Sequence, residues 1–564
     1  MSKIVQQATE QLREAILNAA GRAVAAGELP AEPIPAFTLE IPADRSHGDW
    51  SANIALVSAR PLRLAPRKIA ELITKHLILD GTFFDRFEIA GPGFLNFFFS
   101  PRFYVEVLKD ITALGDQYGR SDYGKNKKVM VEFVSANPTG PMHMGNARGG
   151  ALGDCLSAVL DAAGYQVWRE FYVNDAGNQI EKFGASLSAR YLQLFLGEEA
   201  VEFPEDGYQG EDIRDNAKVY AEAFGDKLVK ADEETRRQKL VEYVLPRNIE
   251  RMQSDLKKYR IEYDQWFLES TLHQNGELEE TLKLLTERGM TYEKDGALWY
   301  RATEFGAEKD EVLVRQNGNP TYFAADIAYH RNKIEKRGYD LCIDVWGADH
   351  HGHVARLKGA LDAVGLSGKQ LDVVLMQLVK LTRDGEVVRM SKRTGKAIQL
   401  ADLLDEVPVD AARFLFNMRE PNSQMEFDLD LAVQQDAQNP VYYVQYANAR
   451  IFSILRTLEA DGIKPRACTD AELALLNAPE EIELIRHLSS FTGEIVQAAK
   501  DYDPARINRY VVTLATLFHK FYNACRVRGE EESLAAARLC LCAAVSTVIR
   551  NVLSMFKISA PESM

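Results

Sequence analysis

A strand–helix–strand pattern between residues 129 and 173 constrains the fold of this chain more than any other feature. The apolar, β-branched run at residues 129–134 predicts a short strand, and the NPTGP sequence that follows predicts a break. Residues 146–163 are rich in Ala, Gly and Leu, as in a closely packed helix, and residues 166–173 predict a second strand. Such a βαβ unit is typical of a parallel sheet whose strands are connected by helices.

The same alternation returns beyond an acidic helical insertion, which we predict at about residues 185–270. Residues 341–346 predict a strand, residues 353–364 a helix and residues 373–379 another strand. We therefore expect one α/β domain at residues 122–400. The residues that could carry chemistry fall just after its strand ends.

Smaller units flank this α/β domain. Residues 1–112 combine amphipathic helices, a proline-rich stretch and the apolar run GPGFLNFFF, and they predict a compact α+β domain. The strand pattern fades after residue 400, so residues 401–435 are interpreted as a connector. Residues 436–564 follow the helical period and predict an all-α domain. This division agrees with the three to four domains expected of 564 residues at about 150 residues per domain.

The net charge of the chain argues against nucleic acid on average but not locally. The chain has 67 Lys and Arg residues and 82 Asp and Glu residues, a formal net charge of -15. Phosphate binding needs clustered cations, and residues 506–528 carry five cations and no acidic residue. These are Arg506, Arg509, Lys520, Arg526 and Arg528. The helical domain can therefore present an RNA-binding face, and no feature predicts a DNA partner.

The sequence predicts neither membrane insertion nor export. The late apolar run at residues 539–549 is too short to span a bilayer, and the first residues have the pattern of an amphipathic helix rather than a signal sequence. The six cysteines form no C-x-x-C pair, so neither a disulfide framework nor a thiolate zinc site is predicted. We expect a protein of the reducing cytoplasm without membrane contact.

The loop NPTGPMHMGNARGG, which follows the first predicted strand, is the first candidate ligand site. Amides at a helix N-terminus suit a polyphosphate, and His143 and Asn146 are spaced to share a face of the first turn. An alternative interpretation is that His143 only caps the helix. The chain has no G-x-x-x-x-G-K-[ST] sequence, which excludes the usual P-loop.

The second candidate is the cationic segment RMSKRTGK at residues 389–396. Such a loop could stabilise charge that develops on a pyrophosphate leaving group. Most short basic loops are simply solvated, so the segment by itself does not decide between these interpretations.

The third candidate is IDVWGADHHGH, in which an acid and three histidines follow a predicted strand. Asp349, His350, His351 and His353 could bind a metal ion. The favoured interpretation is a strand end that receives ribose and adenine at the ligand crevice of the sheet. A simple helix N-cap at Asp349 is compatible with that interpretation.

These three segments, in this order, resemble the class I aminoacyl-tRNA synthetases. The residues HMGN stand where that class has His-x-Gly-His, and RMSKR stands where it has Lys-Met-Ser-Lys-Ser. Asn146 replaces the second histidine, and Arg389 and Arg393 replace the outer lysine and serine. Lys392 keeps the second lysine position. The effect of these departures on the loop is left open.

The match is closer to one family within this class. The segments EFVSANPTGPMHMGNARGGALGD, YVNDAGNQ, GYQGEDI, TYFAADIAYH, WGADHHGH and NPVYYVQYANARIFSILR are similar to those of arginyl-tRNA synthetases. The resemblance spans the chain and implies a Rossmann-type catalytic domain, a tRNA-contacting N-terminal domain and a helical anticodon-binding domain. It implies that arginine reacts with ATP, assisted by Mg²⁺, to give arginyl-adenylate and pyrophosphate, and that arginine is then transferred to the terminal ribose of tRNA(Arg). It also implies a monomer, no editing domain and a need for bound tRNA during activation.

The resemblance assigns candidate residues to each ligand. Those implied for catalysis are His143, Asn146 and Lys392. Those implied for ATP are His143, Gly145, Asn146, Gly347, Asp349, His350, Met390, Ser391 and Lys392. Those implied for arginine are Glu132, Ser135, Asn137, Glu269, Tyr322 and Asp326. Those implied for tRNA are Tyr442, Tyr446, Arg450, Arg509 and Tyr510.

The chemistry of arginine agrees with these assignments. A guanidinium group offers five N–H donors and no acceptor, so a selective pocket needs carboxylates. Tyr322 and Asp326 are spaced i and i+4 and would share one face of a helix. By resemblance, Asp326 and Glu269 grip the guanidinium, while Glu132 and Asn137 hold the α-amino end.

Other interpretations of the acids and of the whole chain remain at this stage. Asp326 and Glu269 could form surface ion pairs instead of a pocket. The chain could be a class I synthetase for another amino acid, or a catalytically silent tRNA-binding relative. No resident metal site is predicted.

Overall fold

The computed structural model describes residues 2–388, 398–460 and 466–564. The N-terminal region is an antiparallel sheet of strand order β1-β2-β4-β3 covered by helices. Helix α1 begins after Ser2, whose hydroxyl accepts a hydrogen bond from the Val5 amide, and its buried face repeats at the helical period. The elements are α1 (Lys3–Ala25), β1 (Leu39–Glu40), β2 (Trp50–Ala52), α2 (Ile54–Leu62), α3 (Pro66–Lys75), β3 (Phe84–Ala90), β4 (Phe94–Phe99) and α4 (Pro101–Leu114).

The central region contains the predicted parallel sheet. Its strands are β5 (Lys128–Glu132), β6 (Gln166–Val173), β7 (Gln265–Leu268), β11 (Leu341–Gly347) and β12 (Leu371–Met376). Their order across the sheet is β12-β11-β5-β6-β7, and every neighbouring pair is parallel. The chain thus winds outward from β5 in both directions, as in Rossmann-type folds. Ligands of such sheets bind beyond the carboxyl ends of the strands, at the switch point between β5 and β11.

Helix α5 (Gly145–Ala162) connects β5 to β6 and lies unusually close to the sheet. A Cβ atom at Gly153 would lie 2.1 Å from Phe133 Cγ, and one at Gly150 would lie 2.7 Å from Ile261 Cδ1. The Ala/Gly-rich composition that predicted this helix therefore has a packing cause. Larger side chains would push the N-terminus of α5 away from the strand ends.

The insertion between β6 and β7 is a helical cluster of its own. Helices α6 (Asn178–Leu196), α7 (Glu211–Phe224) and α8 (Glu233–Lys258) pack around a separate apolar core that includes Phe183 and Leu240. The helices end at residue 258, earlier than the predicted residue 270. The predicted insertion was too long because it included β7, an edge strand of four residues that is too short to show the alternating pattern of a strand.

Between β7 and β11 lie helices and a small antiparallel sheet of order β10-β9-β8. The elements are α9 (Ser270–Gln274), α10 (Glu277–Glu287), β8 (Thr291–Lys294), β9 (Ala297–Tyr300), β10 (Glu311–Val314) and α11 (Tyr322–Arg331). Helix α11 continues directly into a π-helical turn, Asn332–Lys336. Helix α12 (His351–Ala363) then connects β11 to β12.

The predicted connector contains a strand that the sequence pattern did not reveal. Strand β15 (Met425–Asp428) pairs in parallel with β13 (Val379–Arg383), which also pairs with β14 (Glu386–Val388). The other elements here are α13 (Leu400–Glu406), α14 (Val409–Phe416) and α15 (Leu429–Val433). The connector is thus part of the folded body.

The C-terminal region is helical, as predicted. Its helices are α16 (Pro440–Ala460), α17 (Asp470–Leu473), α18 (Pro479–Ser489), α19 (Phe491–Asp501), α20 (Ala505–Ala524) and α21 (Glu532–Met555). By length and composition α21 could cross a membrane, contrary to the length estimated for residues 539–549. However, 67% of its most apolar window is buried inside the protein, as in a core helix of a bundle.

The N-terminal and C-terminal regions contact each other directly. The buried Asp49 carboxylate lies 2.5 Å from Arg486 Nε, and Arg486 also donates to the Tyr104 hydroxyl over 3.1 Å. Helix α4 packs against both α18 and α21. The two outer regions are therefore held as parts of one body.

Candidate active site

The predicted phosphate loop lies at the carboxyl end of β5 and leads into α5. His143 Nδ1 accepts a hydrogen bond from the Gly145 amide over 3.1 Å, and Asn146 Oδ1 accepts one from the His143 amide over 3.1 Å. Because Nδ1 is an acceptor, a neutral His143 ring carries its proton on Nε2. The N-cap position of α5 is Met144, so His143 is not the cap; its ring accepts from the first helical residue and still offers a donor. The Asn146 Nδ2 group is a second donor on the same turn.

The His143 loop also pairs with the chain beyond the cationic segment. The Met144 amide donates to the Ile398 carbonyl over 3.1 Å, and the Leu400 amide donates to the Met142 carbonyl over 2.9 Å. The chain thus returns beside the phosphate loop at residue 398. The predicted residues Met390, Ser391 and Lys392, with Arg389 and Arg393, lie outside the described residues.

The predicted ribose and adenine residues follow β11, on the other side of the switch point. Gly347 ends β11, and a Cβ atom there would lie 2.4 Å from Asp349 Oδ1. Asp349 and His350 have side chains that are 78% and 62% exposed, so both are accessible to a nucleotide. Asp349 is not the N-cap of α12, since that position belongs to His350.

Two acidic residues, Glu269 and Asp326, lie beside this loop and close enough to interact, and we call this pair the acidic cleft. Glu269 follows β7, is buried, and accepts a hydrogen bond from the Tyr172 hydroxyl over 2.8 Å. Asp326 lies on α11, one turn after the partly exposed Tyr322, as the spacing predicts. Burial, and then the nearby negative charge of Asp326, raise the pKa of Glu269 to about 7, against the hydrogen bond from Tyr172.

These acids have no Lys or Arg partner within 4 Å among the described residues. The basic side chain beside each of them is a histidine. Asp326 Oδ2 lies 3.0 Å from His353 Nε2, and Glu269 Oε1 lies 3.8 Å from His273 Nε2. The surface ion pairs considered as an alternative are therefore not found there. Two carboxylates without a Lys or Arg partner have the acceptor chemistry that a guanidinium group requires.

Sequence reasoning missed Tyr172 and assigned no role to His353 beyond the disfavoured metal interpretation. Tyr172 lies near the end of β6, where an aromatic residue usually indicates core packing, and only the fold reveals its bond to Glu269. His353 belongs to the histidine run considered as a metal site, yet it donates to Asp326. Holding a carboxylate in place is the role that the structure supports for this histidine.

The helical domain has a cationic cavity of about 790 Å³ beside α16. Arg450 lies over the Tyr522 ring at 4.2 Å and near the Tyr446 ring at 5.8 Å. The cavity is also lined by Arg456, Arg526 and Arg528 and by no acidic residue among those described. Aromatic rings and guanidinium groups side by side suit unpaired bases and phosphates.

Two of the predicted tRNA residues lie elsewhere. Tyr510 is buried, stacks between His487 and Phe491 at 4.3 and 5.1 Å, and belongs to the core. Arg509 pairs with Asp503 over 2.9 Å and lines a different cavity, next to residues 377–380. Period alone could not tell a core aromatic residue from a surface one. Tyr442 is partly buried on α16.

Comparisons with known proteins agree with this geometry. Family models match residues 6–99 (arginyl tRNA synthetase N terminal domain), 108–451 (tRNA synthetases class I (R), catalytic domain) and 444–564 (DALR anticodon binding domain). Proteins named arginine–tRNA ligase from Acetivibrio thermocellus and Caldanaerobacter subterraneus are 56% and 57% identical over 564 residues, with both chains fully covered. The chain belongs to the arginyl-tRNA synthetase family.

Solved structures of arginyl-tRNA synthetases have the same architecture. A chain from Campylobacter jejuni assigned to this family is 34% identical, with a TM-score of 0.74 over 82% of this chain and 100% of that chain. The Thermus thermophilus arginyl-tRNA synthetase is 22% identical, with a TM-score of 0.73 over 98% of this chain and 100% of that chain, and it supports the fold. The predicted fold class and family are confirmed.

One residue expected to bind arginine in this synthetase has a different environment. Glu132 is buried and both its carboxylate oxygens are occupied, Oε1 by the Ser135 hydroxyl at 2.8 Å and Oε2 by Lys333 Nζ at 2.5 Å. Glu132 is thus held by Ser135 and Lys333, and a direct contact with the α-amino group stays a prediction. Ser135, with φ at 45°, and the exposed Asn137 lie in the turn just beyond it.

In the part of the chain that the structure describes, His350, His351 and His353 do not bring three donor atoms together at the spacing of a metal site. Among the described residues, the donor atoms spaced for a metal ion belong to Glu132, His330 and Asp344. Lys333 Nζ lies 2.5 Å from Glu132, 3.0 Å from Asp344 and 3.4 Å from His330. The ammonium group thus takes the place that a metal would need.

Proposed function

We propose that the chain joins arginine to tRNA(Arg) in two steps, and that the acidic cleft selects the amino acid. The observation that carries this proposal is the pair Glu269 and Asp326, two carboxylates without a Lys or Arg partner among the described residues. They lie beyond the same sheet edge as the His143 loop. A guanidinium in this cleft supplies the missing positive charge, and Tyr322 lies one helical turn from Asp326 to pack beside it.

The first step forms arginyl-adenylate. The arginine carboxylate attacks the α-phosphorus of ATP, a P–O bond forms, and the bond to the pyrophosphate leaving group breaks. His143 Nε2–H and Asn146 Nδ2–H donate to the phosphate oxygens, and Lys392 is proposed to do the same from the cationic segment. No protein nucleophile is required, so catalysis depends on position and electrostatics.

The second step transfers the amino acid. A hydroxyl of the terminal ribose of the tRNA attacks the arginyl carbonyl carbon, and the bond to AMP breaks. Gly347, Asp349 and His350 lie at the strand end where they can hold the adenosine half during both steps.

Mg²⁺ is proposed to enter with ATP rather than to reside in the protein. The three described side chains spaced for a metal enclose the Lys333 ammonium instead, and magnesium commonly binds through substrate phosphates with few protein ligands. When bound, it neutralises phosphate charge.

The cavity beside α16 is proposed to bind unpaired bases of the tRNA. Tyr446 is 41% exposed and lies beside Arg450, so a base can stack there. Tyr442, on the same helix, is kept in the proposal, whereas Tyr510 is removed from it because of its burial. A cytoplasmic location and a monomeric state stay predictions, as does the absence of DNA and membrane partners.

The test is amino-acid-dependent ATP–pyrophosphate exchange and tRNA charging with arginine, lysine and glutamine, each with and without tRNA. Of the three amino acids, we expect only arginine to support exchange, because lysine lacks the forked guanidinium group and glutamine lacks the positive charge. Exchange with another amino acid would indicate a different synthetase, and no exchange under any condition would indicate a silent tRNA-binding relative.

The Asp326→Asn variant tests whether the acidic cleft binds arginine. Loss of a close charge partner costs about 2–5 kcal/mol, so the KM for arginine should rise about 30-fold or more while the KM for ATP stays near that of the wild type. An unchanged amino-acid preference in this variant would contradict the proposed pocket.

A further inference from the structure

A row of buried acidic residues crosses the central sheet. In the strand register Asp344 of β11 is opposite Glu132 of β5, and Glu132 is opposite Glu170 of β6. All three are at most 6% exposed. Residues paired in register lie on the same face of a sheet, and like charges directly opposite each other are destabilising. This row therefore needs cations to be stable.

One helical segment supplies those cations. Lys333, fully buried in the π-helical turn after α11, places Nζ 2.5 Å from Glu132 Oε2 and 3.0 Å from Asp344 Oδ1. His330 Nε2 lies 2.7 Å from Asp344 Oδ2, and Arg337 forms a two-pronged ion pair with Glu170. Burial raises the pKa of Glu132, while the Lys333 ammonium opposes that rise.

The centre of this row is connected to the arginine site on two sides. Glu132 Oε1 accepts from the Ser135 hydroxyl over 2.8 Å, and Ser135 Oγ accepts from the Tyr172 amide over 3.2 Å. On the other side, His330 Nδ1 lies 2.8 Å from the Asp326 backbone carbonyl.

The turn beyond β5 is held in an unfavourable conformation. Val134 and Ser135 have φ angles of 72° and 45°. A β-branched residue rarely adopts such angles, so the surrounding contacts must impose them. The bond from Ser135 to Glu132 is one such contact.

We propose that Lys333 is a positioning residue for arginine. Its ammonium holds Glu132 and Asp344 together, and this keeps the turn at residues 133–137 and helix α11 in the places where they meet the substrate. Lys333 itself is buried and does not touch arginine. The inference deepens the proposed function and rests on the placement of arginine in the acidic cleft.

The test compares wild type with Lys333→Met and with a neutral triple variant, Lys333→Met, Glu132→Gln, Asp344→Asn. The single variant removes the ammonium partner of two buried acids, whereas the triple variant also neutralises those acids and therefore tests the geometry if the single variant does not fold. In both we expect the KM for arginine to rise about tenfold or more and the KM for ATP to stay within about twofold, as a loss of substrate positioning requires.

Arg413→Met is the matched control, since it breaks an equally buried ion pair with Asp154 on α5. It should lower the melting temperature without raising the KM for arginine more than the KM for ATP. An arginine KM within about twofold of wild type in a folded variant, or an equal rise of both KM values, would overturn the proposal. Failure of the proposed function is distinct, because it shows in the wild type as absent arginine-dependent exchange.

Discussion

At the scale of single residues, arginine in its proposed position would complete the electrostatics of the acidic cleft. Glu269 is buried without a Lys or Arg partner among the described residues, and burial is the first cause of its raised pKa. An arginine side chain brings the positive charge that stabilises the ionised carboxylate. Binding of arginine is therefore coupled to the release of a proton from Glu269.

This coupling predicts that the KM for arginine depends on pH. The pKa of Glu269 is about 7 before arginine binds, so the carboxylate is mostly protonated at pH 6 and mostly ionised at pH 8. The KM for arginine should fall about tenfold from pH 6 to pH 8, because one group must lose its proton. Initial rates at saturating ATP and tRNA measure it.

The same raised pKa has a consequence for stability without arginine. A carboxyl group whose folded pKa lies above its unfolded value destabilises the fold as pH rises from about 4.5 toward 7. Glu269→Gln should remove both this contribution and the pH dependence of the arginine KM, although its arginine KM is raised throughout. If the pH dependence persists in Glu269→Gln, another group is responsible.

His353 holds Asp326 through a hydrogen bond of 3.0 Å. His353→Gln should raise the KM for arginine about fivefold to thirtyfold, since a charge-assisted hydrogen bond is worth about 1–2 kcal/mol. His351→Gln, which changes an exposed histidine two residues away, is the control and should leave it unchanged. Steady-state charging at varied arginine checks both; equal behaviour of the two variants would contradict the role of His353.

At the scale of elements, the N-terminus of α5 is placed by glycine packing. A Cβ atom added at Gly153 would lie only 2.1 Å from the Phe133 ring, so Gly153→Ala should cost about 1–3 kcal/mol of stability. Gly21→Ala in α1 has no atom within 4 Å and should instead stabilise by about 0.5–1 kcal/mol. Thermal unfolding followed by circular dichroism measures both, and a fall in melting temperature for Gly21→Ala or a rise for Gly153→Ala would contradict this packing argument.

Elements with a strong local signal were predictable from the sequence, and elements defined by distant partners were not. The strand predicted at residues 166–173 is β6 itself, and the spacing of Tyr322 and Asp326 correctly placed both on one helix. Strand β15 was missed because its four residues are ordered by pairing with β13. The ion pair of Lys333 with Glu132 joins residues 201 positions apart, and no local pattern shows such a contact.

At the scale of the whole molecule, an acidic protein must attract RNA through a local surface. The net charge is -15. The arginines of the basic stretch at residues 506–528 have different surroundings in the folded protein. Arg506 and Arg509 are paired with Glu494 and Asp503, whereas Arg526 lines the cavity beside α16. The distribution of charge, rather than its sum, decides where RNA can bind.

This distribution of charge predicts different roles for two arginines of the same basic stretch, Arg526 and Arg506. Arg526→Ala should weaken tRNA binding and reduce the slope of log affinity against log salt by about 0.7–0.9, because one phosphate contact is lost. Arg506→Ala removes the same formal charge from the same domain, but from an ion pair, and should leave the slope unchanged. Filter binding of tRNA over a series of salt concentrations measures both slopes. Equal slopes in the two variants would mean that tRNA senses only the overall charge of the helical domain, and that the cavity beside α16 is not its contact surface.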